Sequence, residues 1–160
     1  MQSLLLEEVL SSYSAGPQTG IFTDGGCQPN PGPGGWGYVH VVNGEILHQE
    51  HGHAPQTTNN RMELTALIRA LSALPKDARV EMHSDSLLCV KTVNEWAPSW
   101  EKRGWKRSTG PIANLDLVQE LYALSLSHPG VKLMWIKAHN GWLWNEYADS
   151  LSTAWTRAIL

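Results

Sequence analysis

Long apolar runs are missing from this 160-residue chain: no stretch approaches the ~18 consecutive apolar residues of a membrane span. Cysteine is nearly absent. Cys27 and Cys89 alone cannot build a disulfide framework. That fits a reducing compartment and predicts a cytoplasmic protein with both thiols as small buried or half-buried fillers. Basic residues do not dominate either: 12 Lys and Arg stand against 15 Asp and Glu, a net charge of −3. A basic field over the whole molecule is excluded, so any nucleic acid must meet a local patch. The opening residues carry Glu7 and Glu8 with no Lys or Arg, which argues against a secretory signal. Internal repeats and low-complexity tracts are absent as well.

What is present is an ordinary globular composition, 42% apolar and 17% charged, sized for one domain. Residues 1–19 stand apart as an N-terminal extension. Leu6, Val9, Leu10 and Tyr13 recur at helical spacing, and Ser14-Ala15-Gly16-Pro17 reads as a linker. A short helix laid on the body or a disordered arm is expected there, with a docking segment for a partner as the sharper reading. The main domain is expected over 20–160.

Ile21-Phe22-Thr23 opens a strand. Asn30 to Gly35 reads as a Pro/Gly turn, Trp36 to Val42 as a second strand, and Asn43-Gly44 as a hairpin returning through Glu45 to His53. From Thr58 the period changes: Met62, Leu64, Leu67, Ile68, Leu71 and Leu74 mark an amphipathic helix that Pro75 stops. Val80 to Ser84 is a fourth strand, and Ser86 starts a helix through Leu87, Val90 and Val93. Asn114 or Asp116 caps a helix carrying Leu117, Leu121 and Leu124. Val131 to Ile136 is a fifth strand, and a last helix runs from Asn145 to Leu160 with Ala148, Leu151, Trp155 and Ile159. The order βββαβααβα predicts an α/β fold: one mixed five-stranded sheet, three antiparallel strands then βα units, with helices on both faces.

Four carboxylates take special places in this layout. Asp24 and Asp85 follow strands expected to be sheet neighbours, Glu63 lies early in the first long helix, and Asp149 early in the last. Singly, each reads equally well as a turn, cap or helix-dipole residue. Together they would repel strongly unless a cation bound them. Hard oxygen ligands suit Mg²⁺ or Mn²⁺, and two such ions, roughly 3.5–4 Å apart, suit phosphodiester displacement.

Local sequence sharpens this. Ile21-Phe22-Thr23-Asp24-Gly25-Gly26-Cys27, Asn30-Pro31-Gly32-Pro33-Gly34-Gly35-Trp36-Gly37, Thr57-Thr58-Asn59-Asn60-Arg61-Met62-Glu63-Leu64, Ser84-Asp85-Ser86, Trp100 to Lys106, His139-Asn140-Gly141 and Asn145 to Asp149 occur in that order. The chain resembles a bacterial type 1 ribonuclease H over residues 20 to 152. That resemblance implies a ribonuclease H-like fold and a metal-dependent endonuclease that cuts the RNA strand of RNA–DNA hybrids, leaving 5′-phosphate and 3′-hydroxyl ends. It implies Asp24, Glu63, Asp85 and Asp149 as catalytic metal ligands for two Mg²⁺ (or Mn²⁺) ions. It assigns His139 to proton transfer or product release, for which an imidazole is suited. Asn30, Asn59, Asn60 and backbone groups around Cys27 match positions that grip RNA, where carboxamides can meet 2′-hydroxyls. Trp96, Trp100, Lys102, Arg103, Trp105 and Lys106 match a basic protrusion, about 96–107, facing the DNA strand. With Arg107 and Glu101 its local charge is +3. Thr58 and Asn114 match a DNA-phosphate pocket. A monomer with no obligate protein partner and no membrane contact is expected. A catalytically silent hybrid-binding module is the competing reading.

Three departures from the family pattern stand out. Leu87 replaces a frequent Gln, Gln56 stands where a basic residue is usual, and Trp142-Leu143-Trp144 replaces a more polar stretch. Two other signals are set aside. The glycine spacing Gly32 to Gly37 leads into a strand rather than a helix. His48, His51 and His53 lie on a hairpin strand with only Glu50 as a nearby carboxylate.

Overall fold

The computed structural model describes residues 4–157. Five strands form one sheet: β1 Gly20–Cys27, β2 Gly32–Val42, β3 Glu45–Thr57, β4 Val80–Ser84 and β5 Val131–Trp135, in the order β3-β2-β1-β4-β5. The first three make an antiparallel meander, while β4 joins β1 and β5 joins β4 in parallel. Asn43 and Gly44 turn the hairpin with φ of 51° and 80°, the paired positive values of a type I′ turn.

Alternation along β1 sorts the core into two layers. Ile21 packs with Leu67, Leu71 and Leu121, on the face covered by α2 (Asn59–Ser72) and α5 (Leu115–Ser127). Its neighbour Phe22 packs with Val9, Tyr147 and Leu151, on the face covered by α1 (Leu6–Ser12) and α6 (Leu143–Ser152). Helices therefore cover both faces, as the α/β pattern predicts. Thr58 caps α2 by accepting from the Arg61 N–H at 3.2 Å, and Ser86 caps α3 (Leu87–Lys91) by accepting from Cys89 N–H at 3.2 Å. A π-helical segment, Thr92–Trp96, links α3 to α4 (Ala97–Lys102), so the basic protrusion begins as a continuation of the Ser86 helix. Among the described residues no helix is long and apolar enough to cross a membrane.

Several boundaries depart from the sequence pattern. The expected turn over Asn30–Gly35 is already strand from Gly32. Gly35 and Gly37 sit there because α6 crosses so closely that a Cβ would fall 2.1 Å from Ser152 O or 2.5 Å from Leu151 Cβ. The last helix ends at Ser152 rather than reaching Leu160, and a 3₁₀ turn, Ala154–Thr156, follows. Trp155 leaves the helical face and stacks on His53, with centroids 5.3 Å apart and planes at 11°; Ile159 lies outside the described residues. Asn114 does not cap α5 with its side chain: its φ is 55°, and its Oδ1 instead accepts from Arg61. In α1, Leu6 and Val9 are buried, but Leu10 is 48% exposed.

Candidate active site

The parallel pairing of β1 with β4 sets Thr23 against Ser84, and the Thr23 hydroxyl donates to His83 O at 3.0 Å. The residues that follow, Asp24 still within β1 and Asp85 just past β4, thus lie at the same end of the parallel pair, where sheets of this kind place their ligands. Glu63 reaches them because α2 lies against β1 with no clearance. A Cβ on Gly25 would sit 2.4 Å from the Met62 carbonyl carbon, so only glycine permits that approach. Asp24 Oδ1 accepts from the Gly25 N–H at 2.8 Å, and the Ser84 hydroxyl donates to Glu63 Oε2 at 3.4 Å. Ligand oxygens of Asp24, Glu63 and Asp85 all lie within 4.8 Å of one another.

Asp24 and Glu63 are buried and Asp85 is half-buried. Burial pushes the Asp24 carboxyl well above its ordinary pKa, and the negative charges of Glu63, Asp85 and Asp149 push it further. Glu63 is likewise raised, first by burial and then by Asp85. Burial also raises Asp85, against a hydrogen bond with Glu63 that lowers it. Opposite ligands of a magnesium ion are about 4.2 Å apart, since each bond is about 2.1 Å. With ligand oxygens within 4.8 Å of one another, the three carboxylates are close enough to share one hard divalent cation.

The predicted quartet divides in space. Asp149, in α6, groups with His139 and Glu146, whose ligand atoms lie within 4.8 Å of one another. All four acids and His139 nevertheless line one cavity of about 890 Å³. His139, with φ of 50° and a 48% exposed side chain, places Nδ1 3.4 Å from Glu146 Oε2. Glu146 was not singled out from the sequence. Its place three residues before Asp149, on the same side of α6, is the signal that would have found it.

The predicted RNA-side residues form a connected corner. Asn59 Oδ1 accepts from Cys27 N–H at 2.8 Å, and Asn30 Oδ1 accepts from Asn59 N–H at 3.2 Å and from the Cys27 thiol at 3.3 Å. Cys27, Asn59 and Asn60 line the acid-bearing cavity; Asn30, exposed and hydrogen-bonded to Cys27 and Asn59, does not line it. A second cavity of about 390 Å³ runs beside the protrusion, lined by Asn60, Trp96, Trp100, Arg103 and Asn114 among others. Asn60 borders both spaces. Trp96 and Trp100 stand side by side with centroids 6.1 Å apart. Trp105, expected at the DNA face, instead packs edge-on against Tyr122 at 5.9 Å and lies outside this lining, as do Lys102 and Lys106. Thr58 lines neither space, its hydroxyl being taken by the helix cap. Gln56 is exposed on β3, and the cation nearest Asn114 is Arg61, which donates to it at 3.4 Å and to both oxygens of Asp116 at 3.1 and 3.0 Å.

Comparison with known proteins places this geometry in a family. A family model described as RNase H matches residues 17–156. A ribonuclease H from Methylorubrum extorquens is 48% identical over 144 residues, 89% of this chain; the chain spans 62% of that relative's length. Among solved structures, LC9-RNase H1, a type 1 RNase H with the type 2 active-site motif, is similar with a TM-score of 0.73 and 34% identity, covering 88% of this chain and 74% of that one. LC11-RNase H1, solved in complex with an RNA/DNA hybrid, has a TM-score of 0.62 and 29% identity, covering 83% of this chain and 92% of that one. The family model runs from the linker before β1 to the turn after α6, and the chain belongs to the ribonuclease H family.

Proposed function

We propose that this chain, through the domain that begins at residue 20, hydrolyses the RNA strand of RNA–DNA hybrids and leaves 5′-phosphate and 3′-hydroxyl ends. The observation that carries the reading is the convergence of Asp24, Glu63 and Asp85 within 4.8 Å, in a cavity that Asp149 and His139 also line. The donor set is all hard oxygen, which fits Mg²⁺ or Mn²⁺ rather than zinc. Bound by the four acids, a pair of such ions supplies activation of the attacking water and neutralisation of the leaving 3′-oxygen.

The protein's own side chains do the rest. Asn59 and Asn60, beside Cys27, border the cavity where the RNA strand lies; the Asn59 oxygen is already committed to Cys27, so its NH₂ is the group left to donate to a 2′-hydroxyl. Trp96, Trp100 and Arg103 hold the DNA strand in the neighbouring groove by sugar contact and charge. With Nδ1–H donated to Glu146, His139 keeps Nε2 open to take a proton from water or return one to the departing oxygen. Cys27 and Cys89 are free thiols, in keeping with work in the cytoplasm.

A labelled hybrid incubated with Mg²⁺, with EDTA and with Asp85→Asn tests the reading. Cleavage with Mg²⁺ alone, and its loss in the other two arms, is expected. Cleavage that persists in EDTA refutes the metal chemistry. Tight hybrid binding with no cleavage in Mg²⁺ or Mn²⁺ establishes the silent binding module instead.

A further inference from the structure

The loop that carries His139 has little to hold it. It leaves the sheet after Ile136, whose N–H donates to Ser84 O at 3.0 Å, and enters α6 at Leu143. Between those points His139 is half exposed, and a Cβ on Gly141 would meet nothing within 4 Å. The first residue with substantial packing after His139 is Trp142, within the triplet that departs from the family pattern. Its N–H donates to Asn140 Oδ1 at 3.0 Å, which closes the loop on itself.

Trp142 is gripped from the N-terminal segment. Ala15 and Trp142 form an isolated parallel β-bridge, and Leu143 N–H donates to Ala15 O at 2.9 Å. Gly16 lies flat on the indole: at φ of +93°, a Cβ there would sit 2.5 Å from Trp142 Cγ. The other members of the triplet join in. Trp144 Nε1 donates to Gln18 Oε1 at 3.1 Å, while Leu143 and Trp144 pack in one core layer with Leu6 and Val9. The Ser150 hydroxyl donates to Leu4 O further along α6. On the opposite side the indole stands edge-on to the buried His83 ring, 6.2 Å away at 87°. The segment itself is tied to the sheet, since Gly44 N–H donates to Gln18 O at 2.8 Å. Leu6 and Val9 of α1 are thus packed on their own protein, while Leu10 stays exposed.

We propose that residues 4–18 form a clasp on Trp142 that positions the histidine loop, so that Trp142 is a positioning residue for His139. The inference rests on the role given above to His139. An unclasped loop loses its packed residue nearest His139 and is held only from Ile136, three residues upstream, and Leu143, four residues downstream. Misplacement of a proton-transferring group by about 1 Å lowers turnover by up to about a hundredfold without touching the chemistry's other parts.

Gly16→Val in the full chain tests this, because its side chain must displace the indole. The expected result is a kcat about five- to a hundredfold lower with KM changed less than about twofold. Hydrogen exchange is expected to quicken about tenfold over residues 137–142 and to stay unchanged over residues 20–42. Combined with His139→Ala, Gly16→Val is expected to add no further loss, since the group being positioned is gone. Trp142→Phe restores most of the activity that Trp142→Ala loses, and Leu10→Ala, at an exposed site on α1, changes nothing. Losses that add in the double variant, or loop exchange that stays slow, overturn the clasp. If His139→Ala alone keeps full kcat, the role of His139 fails, and loop exchange alone then decides whether the clasp exists. Should Gly16→Val not fold, the Trp142→Ala and Trp142→Phe pair, each combined with His139→Ala, decides the matter in the same way.

Discussion

Replacing Asp24 by Asn should stabilise the metal-free protein while destroying its activity. Like unit charges 4.8 Å apart, the outer limit for the Asp24, Glu63 and Asp85 oxygens, repel by about 3.5 kcal/mol at an effective dielectric of about 20. The substitution removes one of those charges yet keeps the Oδ1 that accepts from Gly25 N–H. Protonation already relieves part of the repulsion in the wild type, so a gain of about 1–3 kcal/mol is expected at pH 9 in EDTA, a rise in Tm of about 2–10 °C for a domain of this size. The direction with pH follows from the raised pKa values of Asp24, Glu63 and Asp85. The folded protein keeps these protons to a higher pH than the unfolded chain, whose carboxyls titrate near 4. Their contribution to stability is complete below the unfolded pKa and is lost as pH rises through the folded values. The advantage of Asp24→Asn over wild type should therefore shrink at pH 5. With Mg²⁺ the order reverses, because only the intact site gains binding free energy in the folded state. Scanning calorimetry at pH 5 and pH 9, in EDTA and in Mg²⁺, measures all four cases. A variant that is neutral or less stable than wild type at pH 9 in EDTA would refute the claim that crowded charge dominates this pocket.

Gly25→Ala drives a methyl group into the Met62 carbonyl, so a stability loss of about 1–3 kcal/mol is expected by denaturant melting, with kcat falling more than KM rises as Asp24 is pushed off Glu63. In the groove, Arg103→Ala should weaken hybrid binding and reduce the salt slope by about one, while Trp100→Ala should weaken binding with the slope unchanged; affinities measured across a salt series separate the two.

Much of the fold is written in local signals. Asn43-Gly44 announces its turn, Thr58 and Ser86 announce their caps, and the strand over Val80–Ser84 matches the structure at both ends because a breaker or cap bounds each side. The sheet neighbours that place Asp24 beside Asp85 follow from topology rules. Tertiary approach is not written locally. Gly32 to Gly35 carry the composition of a turn yet serve as strand, and at Gly35 the close approach of α6 leaves no room for a side chain. The early end of α6 depends on Trp155 finding His53, a partner about a hundred positions upstream. The site was legible as a set of acids but not as two groups, because spacing along a chain does not report which carboxylate faces which. Glu146 and Arg61 were passed over for the same reason: each acts through a neighbour from another element.

The acids come from four separate elements, β1, α2, the end of β4, and α6, and three of them leave the ribosome long before Asp149 does. A nascent or clipped chain without α6 holds half a pocket and lacks both Asp149 and the helix that β2's glycines receive. On the proposed function, cutting power therefore waits until the last helix brings Asp149 to the other three acids.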